Sequence, residues 1–217
     1  MATKKTETPT DGSLQIQPPN LRRIAIQITG TAPLVQNKFS AKVTEQIAET
    51  QRAGSQAKSK KKREPKDFDA LFLGARHVSE DGWIGVPAPA FRSAMIDACR
   101  LVGFVMTRAK LSVFVQADGL DAEDGTPLVR LQAGEPERLQ LPVRNESGVV
   151  DIRVRPMWRR WACTLRITFD GDQFSEQDIV NLLERAGQQV GIGEGRPSSK
   201  KSHGMGWGLF TCTSGDA

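Results

Sequence analysis

The sequence predicts an α+β fold, a ferredoxin-like β-α-β-β-α-β core with an antiparallel sheet and two large insertions. Three observations predict it. Four segments alternate apolar and polar residues at strand period, and two carry apolar residues at helical spacing. Their order is strand 21–29, helix 90–102, strand 111–117, strand 161–169, helix 176–186 and strand 207–212. That order is the split βαβ arrangement, in which both helices cover one face of the sheet and leave the other to insertions or a ligand.

Each element has its own signal. Residues 1–20 are rich in Thr, Pro, Gln and Lys and read as a disordered arm before a single domain spanning 21–217. Ile24, Ile26 and Ile28 share one face of the first strand, and Gly30 and Pro33 end it. The first insertion, at about 31–88, is polar from 38 to 66. Leu71–Val78 and Trp83–Val86 read as two short strands around a Ser-Glu-Asp-Gly turn. Pro87 and Pro89 lead a helix whose stripe is Phe91, Ala94, Met95, Ala98 and Val102, with Gly103 at its end. Leu111, Val113 and Val115 alternate in the next strand. The second insertion, at about 118–160, opens with an acidic loop, Asp118–Gly125, and continues as a hairpin or irregular segment. Trp161, Cys163, Leu165, Ile167 and Phe169 give the strongest strand pattern in the chain. Ser175 and Asp178 form a capping-box pair for the last helix, with Gly187 as its stop.

Composition excludes several classes. The chain has 217 residues, a net charge of +5 and a pI near 9.3. It has no run of apolar residues long enough to span a bilayer, and its start lacks the apolar stretch of a secretory signal. Cys99, Cys163 and Cys212 include no CxxC pair, so neither a zinc site nor a disulfide framework is expected. A reducing cytoplasm fits this cysteine usage best, and no metal or cofactor is expected.

The charge is concentrated in three places. Lys58, Lys60, Lys61, Lys62, Arg63 and Lys66 make six basic residues in nine. Such a run repels itself, and release of counterions from a polyanion would offset that repulsion. Arg153, Arg155, Trp158, Arg159, Arg160 and Arg166 form a second basic stretch. Its arginines can grip phosphate in bidentate fashion, or form a solvated strand face partly neutralised by the 118–124 acids. Trp158 either stacks on an unpaired base or packs, whereas Trp161 has the register of a core residue. The third place is a loop running from Gly191 through Gly193, Gly195, Gly204 and Gly206, with Arg196, Lys200, Lys201 and His203. It matches neither a P-loop nor a dinucleotide fingerprint, because the required glycines are absent. Glycines that reach positive φ still allow successive N–H groups to cradle an anion. His77 reads as structural.

Residues 187–210 resemble the C-terminal glycine-rich loop of the RAMP proteins of CRISPR systems, and Gly85–Met95 is similar to the proline-led segment that opens the first helix of that family. A lysine-rich insertion after the first strand and a hairpin insertion between the second and third match what Cas7-type backbone subunits carry. The resemblance implies a modified RRM-like fold packed side by side along a guide RNA, with the first helix's N-terminus and the inserted loops on the RNA backbone. Lys38 and Arg92, beside those elements, join the expected nucleic-acid ligands. The catalytic histidine of Cas6-like members has no obvious counterpart in the first strand, and the aspartate of RNA-cleaving Cas7 subunits has no aligned equivalent.

The resulting expectation is a non-enzymatic protein that binds single-stranded RNA, or DNA, by its backbone. It would assemble head to tail with copies of itself, beside other effector subunits and away from membranes. A Cas6-like metal-independent endoribonuclease using His203 or His77, and a phage or plasmid single-stranded-DNA-binding protein, are the alternatives.

Overall fold

A computed structural model describes residues 16–38, 48, 51–52, 66–144, 150–199 and 204–213. The Lys58, Lys60, Lys61, Lys62 and Arg63 run and Lys200, Lys201 and His203 lie outside the described residues, as does most of the arm at 1–20.

The core is the expected α+β unit. Strands β1 (Leu21–Gly30), β5 (Val113–Val115), β10 (Ala162–Asp170) and β11 (Phe210–Cys212) form an antiparallel sheet in the order β11-β1-β10-β5. That is the ferredoxin-like order, with the first and third core strands at the centre. Alternation sets the faces. Ile26 and Ile28 of β1, and Cys163, Leu165, Ile167 and Phe169 of β10, point inward and are buried. Gln27 and Thr164, paired across the two strands, point outward and hydrogen-bond to each other and to Gln132. The open face is thus a polar ladder of Gln and Thr side chains.

Two helices close the other face. Helix α2 (Ala88–Ala98) buries Phe91, Ala94, Met95 and Ala98, as its spacing predicts. Helix α4 (Glu176–Arg185) starts at a Ser175–Asp178 capping box and buries Ile179, Leu182 and Leu183. Phe91 and Trp161 meet the Phe210 ring edge-on at centroid distances of 6.1 Å each. Trp161 is 2% exposed, and its indole N–H donates to the Ala32 carbonyl at 2.9 Å. Cys99 and Cys163 are fully buried, Cys163 as the register of its strand predicts.

Four local expectations are corrected. Phe68–Gly74 is a helix, α1, where a strand starting at Leu71 was expected; the Asp67 side chain accepts from the N–H groups of Asp69 and Ala70 and so nucleates it. Only His77–Val78 (β3) is extended there. Leu111 belongs to helix α3 (Met106–Ser112) and is 79% exposed, so the alternation begins only at Val113. After Ala98 the chain tightens into a 3₁₀ turn (Cys99–Val102), which rotates Val102 outward before Gly103 ends it at φ 68°. Gly187 does not stop α4. The helix widens into a π turn (Ala186–Val190), and Gly187 is bare because a Cβ there would lie 2.2 Å from the Phe210 carbonyl oxygen.

The two insertions interlock. From the first come β2 (Leu34–Val35) and β4 (Ile84–Pro87), and from the second β6 (Gly119–Leu120), β7 (Pro127–Arg130), β8 (Glu137–Arg144) and β9 (Val150–Trp158). Strand β2 pairs with β9 of the β8–β9 hairpin, and β4 pairs with β7. The sheet β3-β4-β7-β6 closes on itself. Ser79 bridges Asp121, and the Ala122 N–H donates to the Val78 carbonyl at 3.0 Å. Gly85 and Gly119 leave room for the Trp83 indole, which lies 2.9 and 2.7 Å from where their Cβ atoms would be. No helix among the described residues is long and apolar enough to cross a membrane.

One carboxylate fastens the edge strand. Glu184 of α4 accepts from the Thr211 hydroxyl and the Cys212 N–H, both at 2.6 Å. Burial pushes its carboxyl up, but those hydrogen bonds outweigh burial and hold it below the usual range. Glu184→Ala should therefore remove about 1–3 kcal/mol of stability by leaving those donors unpaired. The loss should appear as a lower denaturation midpoint, together with faster amide exchange at Cys212 than at Ile167 in central β10.

Candidate nucleic-acid interface

A cleft of about 560 Å³ opens where the core meets the insertions. One wall is a face of α2 that runs from Pro89 and Ala90 through Ser93 to Asp97 in its last turn. The opposite wall is the glycine loop, Gly193–Arg196 with Ser198 and Ser199, and Arg153 of β9, Gln36, Asn37 and His77 complete it.

The helix end lines the cleft with its first turn uncapped. Pro87 and Pro89 contribute no N–H, and no side chain caps the first turn. The remaining N-terminal amides and the helix dipole favour an anion there.

The loop adds further donors. Gly193 and Gly195 adopt φ of 75° and 76°. The Glu194 N–H donates back to the Val35 carbonyl at 2.9 Å, which pins the loop to β2. Among the described residues the N–H groups of Gly193, Gly195 and Arg196 have no hydrogen-bond partner, so the alternation leaves a row of free donors. Free backbone donors of this kind can cradle an oxyanion. The Arg196 guanidinium donates to the Gly193 carbonyl at 3.0 Å, which holds its charge over the loop.

Glu194 organises the arginines. Its carboxylate takes Arg155 Nε at 2.8 Å and lies 3.9 Å from Arg153 Nη1. Arg155 is committed to that ion pair and to the Val154 carbonyl, so it is a brace behind the cleft. Arg153 is held more loosely, and its side chain is 37% exposed.

The other expected ligands fall elsewhere. Trp158 is 2% exposed and its N–H donates to the Gly134 carbonyl, so it packs and has no free face for stacking. Arg159 pairs with Glu137 across the hairpin at 2.8 and 2.9 Å, and Arg160 is exposed outside the cleft. Arg92 donates to the Val113 and Lys110 carbonyls and ties α2 to β5. Gly191, at φ 71°, returns its N–H to the Ala186 carbonyl and ends the π turn. Gly204 and Gly206 have positive φ on the far limb of the loop.

Lys38, expected on phosphate, is instead buried. Its Nζ lies 2.5 Å from Asp121, 3.0 Å from Glu123 and 4.0 Å from Asp124. Asp121 is fully buried and also accepts the Glu123 N–H at 2.9 Å. His77 Nδ1 faces its second oxygen at 3.0 Å. The acidic loop thus neutralises a lysine of its own chain, and Asp118 pairs with Arg166. Gln36, Asp97 and Glu194, which sequence reasoning passed over, and His77, read as structural, line the cleft because the insertions fold onto the core. Only Glu194 carried a signal, as the one acid in a basic loop.

No protein-family model matches the chain, and no curated protein matches it. Among solved structures it is similar to Cmr6 from Pyrococcus furiosus, with a TM-score of 0.39 and 11% identity over 89% of this chain and 99% of that one. What bears on function is the chemistry of the cleft itself.

Proposed function

We propose that this chain binds the backbone of single-stranded nucleic acid, guide RNA above all, as a RAMP-type, Cas7-like subunit repeated along a CRISPR effector-like ribonucleoprotein. The observation that carries the reading is the convergence of an uncapped helix N-terminus, a row of unpaired glycine-loop amides, and Arg153 and Arg196 on one cleft. These groups all donate, and most are backbone amides, so phosphate oxygens are what they suit. The glycine loop is also the segment that resembles RAMP proteins, and its partner wall is the proline-led segment of the same resemblance. Head-to-tail assembly needs an interface that does not close, so that copies repeat along a strand.

The test is fluorescence anisotropy with a labelled single-stranded RNA at several salt concentrations. The logarithm of the affinity should fall linearly with the logarithm of salt, by about 0.7 for each phosphate neutralised. Arg153→Ala combined with Arg196→Ala should weaken binding roughly 10–100-fold at low salt and flatten that slope by about one. Arg108→Ala, an exposed change on α3, should leave binding unaltered. A flat salt response, or an equal loss in Arg108→Ala, would sink the reading. Competition with single-stranded DNA of the same sequence ranks the two polymers, and light scattering with RNAs of increasing length reads the repeat.

A further inference from the structure

We propose that His77 is a proton-dependent anion contact of this cleft, so that the chain grips a phosphate more tightly as its imidazole takes up a proton. The inference rests on the anion-binding reading of the cleft.

The backbone of His77 is fixed from two sides. It pairs with Gly85 in β4, and its N–H donates to Gln36 Oε1 at 3.1 Å while Gln36 Nε2 holds the Gly85 carbonyl at 2.8 Å. Its ring is fixed by Asp121, whose Oδ2 lies 3.0 Å from Nδ1. Asp121 has no freedom to move, being buried and bound to Lys38 Nζ and the Glu123 N–H. A carboxylate opposite Nδ1 assigns the hydrogen to that nitrogen, so Nε2 is the atom that gains or loses the proton. Among the described residues Nε2 has no hydrogen-bond partner, and the side chain is 14% exposed on the cleft.

The charges around the ring can host a proton. Against the ring stands Asp121, and around its partner Lys38 are the half-exposed Glu123 and Asp124, three carboxylates against one ammonium. The cleft adds Asp97 from α2, Glu194 and Arg196 from the loop, and Arg153 from β9, two of each sign. A phosphodiester entering the cleft adds negative charge beside the ring and favours the imidazolium. By reciprocity the imidazolium favours the phosphodiester to the same extent. Protonated Nε2 then adds a charged donor to the cleft that Gly193, Gly195 and Arg196 also line.

The test measures binding of a labelled oligouridylate to the full chain between about pH 8 and pH 5.5, the range where histidine titrates. The affinity should rise roughly tenfold across that range. His77→Gln, which keeps a donor toward Asp121, should lose most of the rise. His203→Gln should keep it. Equal rises in the unaltered chain and in His77→Gln overturn the proposal while leaving the cleft an anion site. Absence of binding at every pH and at low salt overturns the cleft reading as well. A second readout needs no variant. The imidazole resonances of His77 should titrate at higher pH with the oligouridylate present than without it, and an unmoved midpoint counts against the proposal.

Discussion

Substituting Asp121 with alanine is expected to remove about 3–5 kcal/mol of folding stability. The carboxylate is fully buried and the Lys38 side chain is 5% exposed, so the substitution strands an ammonium away from water. The β3–β6 closure runs through Asp121, and the turn that follows is held by its bond to the Glu123 N–H. Glu123 remains 3.0 Å from Lys38 but is half exposed, so it replaces only part of what is lost. The pH dependence has a definite sign. Burial pushes the Asp121 carboxyl up, but Lys38, the Glu123 N–H and His77 outweigh burial and hold it below its ordinary value. A carboxylate depressed in the folded state stabilises at neutral pH and loses that contribution as pH falls through the acid range, below about 4. Burial pushes Lys38 down, but Asp121 and Glu123 outweigh it and raise it, so its share is lost only at alkaline pH, above about 10.5. The stability gap between the unaltered chain and Asp121→Asn should therefore be wide at neutral pH and narrow in acid. Urea denaturation of both across that range checks it. A gap under about 1 kcal/mol at neutral pH would mean that the cluster behaves as a solvated surface pair.

The core was legible because its signals are local. The Ile24–Ile28 alternation, the Phe91–Ala98 stripe and the Ser175–Asp178 box each lie within a few residues, and each element formed where its pattern stood. The errors fall where a neighbour overrides the pattern. Leu71 looked extended until Asp67 capped a helix beneath it, and Gly187 looked like a stop because its partner, Phe210, is distant in sequence. The site was half legible. Glycines and arginines announced donors, and Gly193, Gly195, Arg153 and Arg196 do share a cleft. What the sequence could not say is which basic groups are already spent. Lys38 and Arg155 meet carboxylates more than 38 residues away, and those pairings exist only because the two insertions fold against each other and the core. The same interlocking brings His77 to the cleft.

Gly208 is where the cleft depends most on the absence of a side chain, and Gly208→Ala is expected to cost roughly 4 kcal/mol or more. Its φ is +69°, and a Cβ would sit 1.8 Å from the Ile192 carbonyl oxygen. That neighbour is backbone and cannot rotate away. Gly208 also donates to the Pro33 carbonyl at 2.8 Å and accepts the Ile192 N–H at 3.0 Å, so it clamps the loop's near limb to the connection between β1 and β2. Forcing Ile192 aside displaces Gly193–Arg196 and with them the free amides. Gly206 supplies the comparison, since its φ of +73° is similar but a Cβ there would meet nothing within 4 Å. Gly206→Ala should cost only the left-handed penalty of about 1–2 kcal/mol. Thermal denaturation separates the two effects, because φ strain is common to both variants and the backbone collision belongs to one. If the loop is the anion site, Gly208→Ala should also lose RNA affinity at temperatures where it is still folded, while Gly206→Ala keeps most of it. Equal destabilisation by the two substitutions would show that the Ile192–Gly208 contact does not set the loop's position.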